Sequence, residues 1–125
     1  MNGLTLDAGA LIAFDRNDRS LVALIARAVE HGCSFAVPAG AVGQSWRNGR
    51  RQARLARFLG SPEVLVEALD DQRAREAGQL CGVTKTRDVI DASVVQCARR
   101  HGYRIVTSDP DDMRALDPTA QVIAI

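Results

Sequence analysis

Short apolar runs alternate along this chain with longer stretches in which apolar residues recur every three or four positions. That alternation predicts a parallel sheet with helices packed against it. Leu4 to Leu6 reads as a first strand ending at Asp7, and Ala8 to Phe14 as a helix. Leu21, Leu24, Ile25 and Ala28 give a second helix its apolar stripe, and Glu30-His31-Gly32 ends it, with Gly suited to the left-handed position after a helix. Ser34 to Val37 is a second strand, and Pro38 suits the first turn of the helix that follows. Asn48-Gly49 breaks that helix, and Arg50 to Leu59 forms another. Glu63 to Leu69 is a strand around the unbroken apolar run Val64-Leu65-Val66, and Asp70 to Leu80 is a helix. A longer helix spans Asp88 to His101 and again stops at His-Gly. Tyr103 to Val106, Pro110 to Leu116 and Val122 to Ile125 complete the pattern as strand, helix and strand.

Composition narrows the class. A chain of 125 residues is the ordinary size of one domain, and 46% apolar residues suffice for a core without disulfides or a structural metal. The net charge of +1 excludes a global electrostatic clamp on a polyanion, so any such contact must be local. Arg supplies all the basic residues but Lys85, a bias that a GC-rich genome explains. Cys33, Cys81 and Cys97 sit in apolar stretches without a C-x-x-C pair and, on this reading, without a His at metal-ligand spacing; they read as buried, reduced thiols of a cytoplasmic protein. No segment reaches the ~18 to 20 apolar residues of a membrane span, and Asp7 interrupts any signal-peptide layout, so a soluble protein without membrane contact is expected.

The chemistry gathers at carboxylates. In an open parallel sheet, ligands bind beyond the carboxyl ends of the strands. Asp7 ends the first strand, and Asp109 follows the strand Tyr103 to Val106 after Thr107 and Ser108. Asp88 and Asp91, three residues apart, open the long helix on one face. Each has a purely structural reading as a helix cap, and Asp109-Pro110 with Asp111 and Asp112 is a favourable helix start. Taken together, carboxylates converging from separate elements repel one another and call for a cation such as Mg²⁺ or Mn²⁺, which takes hard oxygen ligands completed by water.

Three pieces carry a resemblance: Leu4-Thr5-Leu6-Asp7-Ala8-Gly9-Ala10-Leu11-Ile12, Asp91-Ala92-Ser93-Val94-Val95 and Ile105-Val106-Thr107-Ser108-Asp109-Pro110-Asp111-Asp112. In this order and in a chain of this length they resemble the PIN-domain ribonucleases, and among them the toxins of VapBC-type toxin–antitoxin pairs. The resemblance implies one PIN-like (Rossmann-like) α/β domain over residues 1–125, a sandwich with a five-stranded, mostly parallel central sheet and helices on both faces. It implies a metal held by Asp7, Asp91 and Asp109, with Asp112 at a further acidic position. Asp88 stands behind the ligands, and Thr107 or Ser108 hydrogen-bonds a ligating carboxylate. The family usually carries Glu on the helix after the second strand, where this chain has Gln44; an amide oxygen ligates but brings no charge, so one ion at modest affinity is expected. A small VapB-type antitoxin and a homodimer are further implications of the resemblance.

The activity so implied is metal-dependent endonucleolytic cleavage of RNA, the ion lowering the pKa of a bound water and offsetting charge on the phosphate. Trp46 with Arg47, Arg50, Arg51, Arg54 and Arg57 offers a base-stacking ring and phosphate contacts, four of the arginines sharing a face wherever the helix is continuous; a plain solvated helix is the competing reading. His31 and His101 precede Gly at helix ends, where a charged imidazole suits the dipole and no catalytic role is needed. No Ser-His-Asp order and no phosphate-cradling Gly-rich loop is present. Two other classes remain. A PIN-like module that binds RNA or a partner without cutting is favoured by Gln44. A receiver-like signalling domain is disfavoured, because Asp7 has no adjacent acid and no Lys follows the last strand.

Overall fold

The structure, a computed structural model, describes residues 2–125. Five strands form one sheet: β1 (Gly3–Leu6), β2 (Ser34–Pro38), β3 (Val64–Glu67), β4 (Arg104–Thr107) and β5 (Val122–Ala124). Their order is β3-β2-β1-β4-β5 and every neighbouring pair is parallel. The sheet is therefore wholly rather than mostly parallel, as helical crossovers between all successive strands require.

Helices α1 (Ala8–Asp15), α2 (Arg19–Glu30), α3 (Ala39–Ser45) and α4 (Ala53–Leu59) precede β3, whereas α5 (Asp71–Thr84), α6 (Val89–His101) and α7 (Pro110–Leu116) follow it. The chain builds outward from β1 to β3 and then returns to β4 on the other side of β1. Right-handed crossovers taken in opposite directions place the two helix groups on opposite faces. Consistent with this, α1 packs on α2, α3 and α4, and α6 packs on α5 and α7. The strand order reverses between β1 and β4, and a crevice opens beyond their carboxyl ends.

The core follows the predicted stripes. Leu4, Leu6, Leu11, Leu21, Phe35 and Ile105 are buried, and Phe58 meets Phe14 and Phe35 with ring centroids 5.0 and 5.3 Å apart. Asp18 caps α2 by accepting from the Leu21 N–H at 3.0 Å, and Leu21, Ile25 and Ala28 turn inward from it. Gly32 and Gly102, just past α2 and α6, have φ of 74° and 70°, the left-handed geometry expected of them.

Several boundaries differ from the sequence expectation. Pro38 closes β2 and stands at the N-cap of α3 rather than in its first turn. Helix α3 stops at Ser45, before Asn48-Gly49, and α4 starts only at Ala53. Between them the Gln52 side chain accepts from the Arg47 and Asn48 N–H groups at 2.6 and 2.8 Å and donates to the Ser45 carbonyl at 2.8 Å, a local competitor to helical bonding. Helix α5 runs past Gly82 to Thr84, because its inward stripe Ala77–Cys81 continues and Lys85 itself takes the left-handed terminating conformation at φ 60°. The strand predicted over 63–69 covers only Val64–Glu67, since Asp70 is drawn off to cap α5 through the Arg73 N–H at 2.9 Å.

Candidate active site

The end of β1 is locked to the end of β4. Leu6 pairs with Val106, so Asp7 emerges opposite Thr107. Asp7 is the N-cap of α1, its Oδ1 accepting from the Ala10 N–H at 2.8 Å. Its other oxygen accepts from the Thr107 hydroxyl at 2.5 Å, and that hydroxyl accepts in turn from the Asp109 N–H at 2.8 Å. One threonine thus fixes both the Asp7 carboxylate and the backbone that presents Asp109. Gly9 allows the approach: a Cβ there would lie 2.0 Å from the Ser108 hydroxyl.

Asp91 comes from the other helix group. Asp88 is the N-cap of α6 and accepts from the Asp91 N–H at 2.9 Å, so the two acids are joined through backbone. Burial pushes the Asp91 carboxyl up to about 7, with the negative charges of Asp88, Asp7, Asp112 and Asp109 adding to it. Asp7 is also raised, by burial and by Asp109, against the hydrogen bonds from Thr107 and Ala10. Asp91 thus lies within electrostatic reach of Asp88, Asp7, Asp112 and Asp109, and Asp7 within reach of Asp109. None of the five is ion-paired with Arg, Lys or His among the described residues. Asp109 occupies the N-cap position of α7 without a side-chain cap bond, its carboxylate taking only a 3.4 Å contact from the Ser108 hydroxyl.

This donor set fits a hard divalent cation: all oxygen, several anionic, none of it ion-paired among the described residues, with Asp7 buried, Asp91 half-buried and Asp88, Asp109 and Asp112 exposed. The carboxylate oxygens are not drawn into a tight ligand cluster, as mutually repelling groups without a shared ion would not be. Such an ion would be held by Asp7, Asp91 and Asp109, with Asp112 near Asp91. A cleft of about 290 Å³, lined by Thr86, Arg87, Asp88, Asp91, Asp112 and Leu116, lies against this acidic edge.

Gln44 is exposed on α3 and makes no hydrogen bond to the acids. It lies one turn after Gly40, where an added Cβ would meet Ile90 Cδ1 at 2.5 Å, so this face of α3 looks toward the start of α6. The arginines do not form one helical face. Arg47, Arg50 and Arg51 lie between α3 and α4, and only Arg54 and Arg57 are on α4. Arg47 turns back to donate to the Gly43 and Trp46 carbonyls, while Trp46, 38% exposed, covers Gly49.

A second polar centre escaped the sequence reading. Glu67, at the end of β3, is buried, and accepts from Arg100 through two guanidinium nitrogens, the Nε at 2.9 Å. Its Oε2 lies 2.7 Å from His101 Nε2, and Arg73 is 3.7 Å from Oε1. Burial opposes the carboxylate, but His101 and Arg100 outweigh it and hold the Glu67 carboxyl below its usual range. Cys97, wholly buried alongside, has its thiol pushed up to about 12 by burial and by the Glu67 charge. The expectation that no His stands at metal-ligand spacing from a cysteine is corrected here: Cys97 and His101 are one helical turn apart, a spacing visible in the sequence. Cys33 is half-buried rather than buried; Cys81 and Cys97 are buried, and all three are free.

No protein-family model and no curated protein sequence matches the chain. Solved structures do. The structure of FitAB bound to the IR36 DNA fragment is similar at a TM-score of 0.66 and 15% identity, over 97% of this chain and 94% of that one. VapBC2 from Rickettsia felis, bound to a DNA fragment from their promoter, gives 0.72 and 13%, over 98% of each chain. FitAcB from Neisseria gonorrhoeae gives 0.65 and 16%, over 96% of each. The fold is the PIN fold. In an open parallel sheet the crevice beyond β1 and β4 is the natural place for a ligand, and Asp7 and Asp109 stand just past the ends of those two strands. No helix among the described residues is long and apolar enough to cross a membrane.

Proposed function

We propose that the protein is a Mg²⁺- or Mn²⁺-dependent endoribonuclease acting as the toxin of a toxin–antitoxin pair in the cytoplasm. One observation carries the reading: Asp7, Asp91 and Asp109, from three separate elements, converge on the carboxyl edge of a parallel sheet with no protein cation between them. When bound, the ion supplies an activated water and offsets charge on the phosphodiester. The chain's own groups do the rest. Thr107 orients the Asp7 carboxylate, Asp88 fixes the first turn of α6 beneath Asp91, and Asp112 adds negative charge that deepens the site. Trp46, Arg50, Arg51 and Arg54 are exposed next to α3 and offer RNA a ring and three charges.

The structural neighbours are toxin–antitoxin complexes, which supports a small VapB-type antitoxin as the partner; a homodimer is part of the same proposal and rests on the sequence resemblance alone. A second reading rests on Gln44. The charge-free amide on α3 favours a PIN-fold module that binds RNA or its partner with little or no cutting. Cleavage of structured and single-stranded RNA with Mn²⁺, Mg²⁺ or EDTA separates the two. Metal-dependent cutting that is lost in Asp7→Asn supports the nuclease, and a gain in Gln44→Glu places residue 44 at the ion. A wild type that is inert while Gln44→Glu cuts identifies a silenced nuclease. Binding without cutting by any variant overturns the reading.

A further inference from the structure

Glu67, Cys97 and His101 bring a carboxylate oxygen, a thiol sulfur and an imidazole nitrogen to within 4.8 Å of one another, the only three-donor group of this kind among the described residues. The donors come from two elements held rigidly together. Cys97 and His101 share a face of α6, and Glu67 ends the edge strand β3. Asp91 lies ten residues before His101 on the same helix, about 15 Å along its axis, so this group is separate from the acidic edge.

We propose that Glu67, Cys97 and His101 form a binding site for a borderline-soft divalent transition metal, Zn²⁺ in the first place. The mixed N, O and S set matches that ion and not Mg²⁺ or Mn²⁺, which take oxygen alone. Arg100 engages Oε1 of Glu67, while Oε2 and His101 Nε2 hold each other at 2.7 Å, and ligation exchanges that mutual contact for bonds to the ion. Thr5 provides an independent sign. Its hydroxyl is wholly buried, meets no well-formed hydrogen-bond partner, and has the Cys97 sulfur beside it as a weak acceptor. A neutral thiol is a poor acceptor, whereas a metal-bound thiolate accepts from Thr5 and satisfies it.

The balance is simple. The sulfur–hydrogen bond of Cys97 breaks heterolytically, its proton goes to solvent, and the sulfur lone pair forms the bond to the metal, with no change in oxidation state. His101 ligates through Nε2 in the tautomer that carries its proton on Nδ1, giving up its hydrogen bond to Glu67. Thiolate and carboxylate together neutralise the dication, so the site gains one positive charge over the metal-free state, in which the Glu67 carboxylate is the anion beside Arg100. Three protein ligands leave a fourth position for water, which reaches it past the half-buried His101 from a cavity of about 360 Å³ lined also by Phe35, Glu63, Val64 and Tyr103. A bound ion clamps β3, otherwise an edge strand with one neighbour, to the end of α6.

Cobalt titration of the metal-free protein under reducing conditions tests this, because a thiolate-to-Co²⁺ charge-transfer band in the near ultraviolet arises only if a cysteine ligates. The expected result is a band that saturates at one equivalent and is displaced by Zn²⁺. It is retained in Asp91→Asn and in the double variant Cys33→Ser, Cys81→Ala, is lost in Cys97→Ser, and needs at least about tenfold more Co²⁺ in His101→Gln. Should Cys97→Ser fail to fold, the wild-type band and its weakening in His101→Gln carry the decision. Absence of the band in the wild type, or its survival in a folded Cys97→Ser protein, overturns the site.

Discussion

Asp91 and Glu67 are carboxylates in the same α/β frame, both withdrawn from water, and their surroundings push them in opposite directions. Around Asp91 stand four further carboxylates, none of the five ion-paired among the described residues, and its carboxyl rises to about 7. Around Glu67 stand Arg100, Arg73 and His101, and its carboxyl falls below the usual range. The second arrangement stabilises the fold by itself. The first stores repulsion that only a cation from outside can relieve. Unrelieved repulsion in a part-buried group points to a site kept for chemistry, whereas compensation by Arg100, Arg73 and His101 lets Glu67 hold β3 to α6 whether or not an ion is bound.

The largest expected effect separates these roles. Asp7→Asn is expected to lower metal-dependent RNA cleavage by about 10³-fold or more while leaving the melting temperature of the metal-free protein unchanged or higher. A large loss of stability in that variant would mark Asp7 as structural. Glu67→Gln should do the reverse, destabilising the fold by about 3 kcal/mol because Arg100 and Arg73 lose their partner, as read by urea unfolding.

The same contrast sets the pH dependence. Asp7 and Asp91 keep their protons in the folded state above the pH at which the unfolded chain releases them. Their contribution is therefore full below the unfolded value near 4 and is lost as pH rises toward 7. Glu67 and Asp117 behave oppositely, Asp117 being lowered, against its burial, by Thr119 and Arg99; their contribution is present above the unfolded value and lost as pH falls through the folded one. Metal-free protein is thus expected to be more stable at pH 5 than at pH 8, on the order of 1 kcal/mol after solvent screening. Millimolar Mn²⁺ should remove that slope; a slope indifferent to metal would break the assignment of the acidic edge. The smallest effect is that of Asp88→Ala, which removes the α6 cap at about 1 kcal/mol, with thermal unfolding as the measure.

The sheet and the acids at its edge were legible in the sequence because strand ends and helix starts carry local signals: Asp7 after Leu4-Thr5-Leu6, Asp109 before Pro110, Gly102 after His101. The arginine face was not, because the helical spacing of Arg47, Arg50 and Arg54 says nothing of Gln52, whose side chain ties up the intervening backbone. The Glu67 centre was half visible. Cys97 and His101 are four apart in the sequence, but Glu67 is thirty residues before Cys97, and only the parallel pairing of β3 with β2 brings it under α6. Local periodicity reads single elements; partnerships between distant elements depend on topology.

The crowding of α6 has a consequence for how such a protein diversifies. Ala92, Ser93, Val94, Val95, Cys97 and Ala98 are buried, Asp91 opens the helix on the acidic edge, and Arg100 and His101 close it on Glu67. Hardly a face of this helix is left to vary without disturbing one end or the other. The stretch from Trp46 to Gln52 touches neither end, is held mainly by one glutamine, and already departs from regular helix. A lineage changing its target is expected to rewrite that stretch first and α6 last.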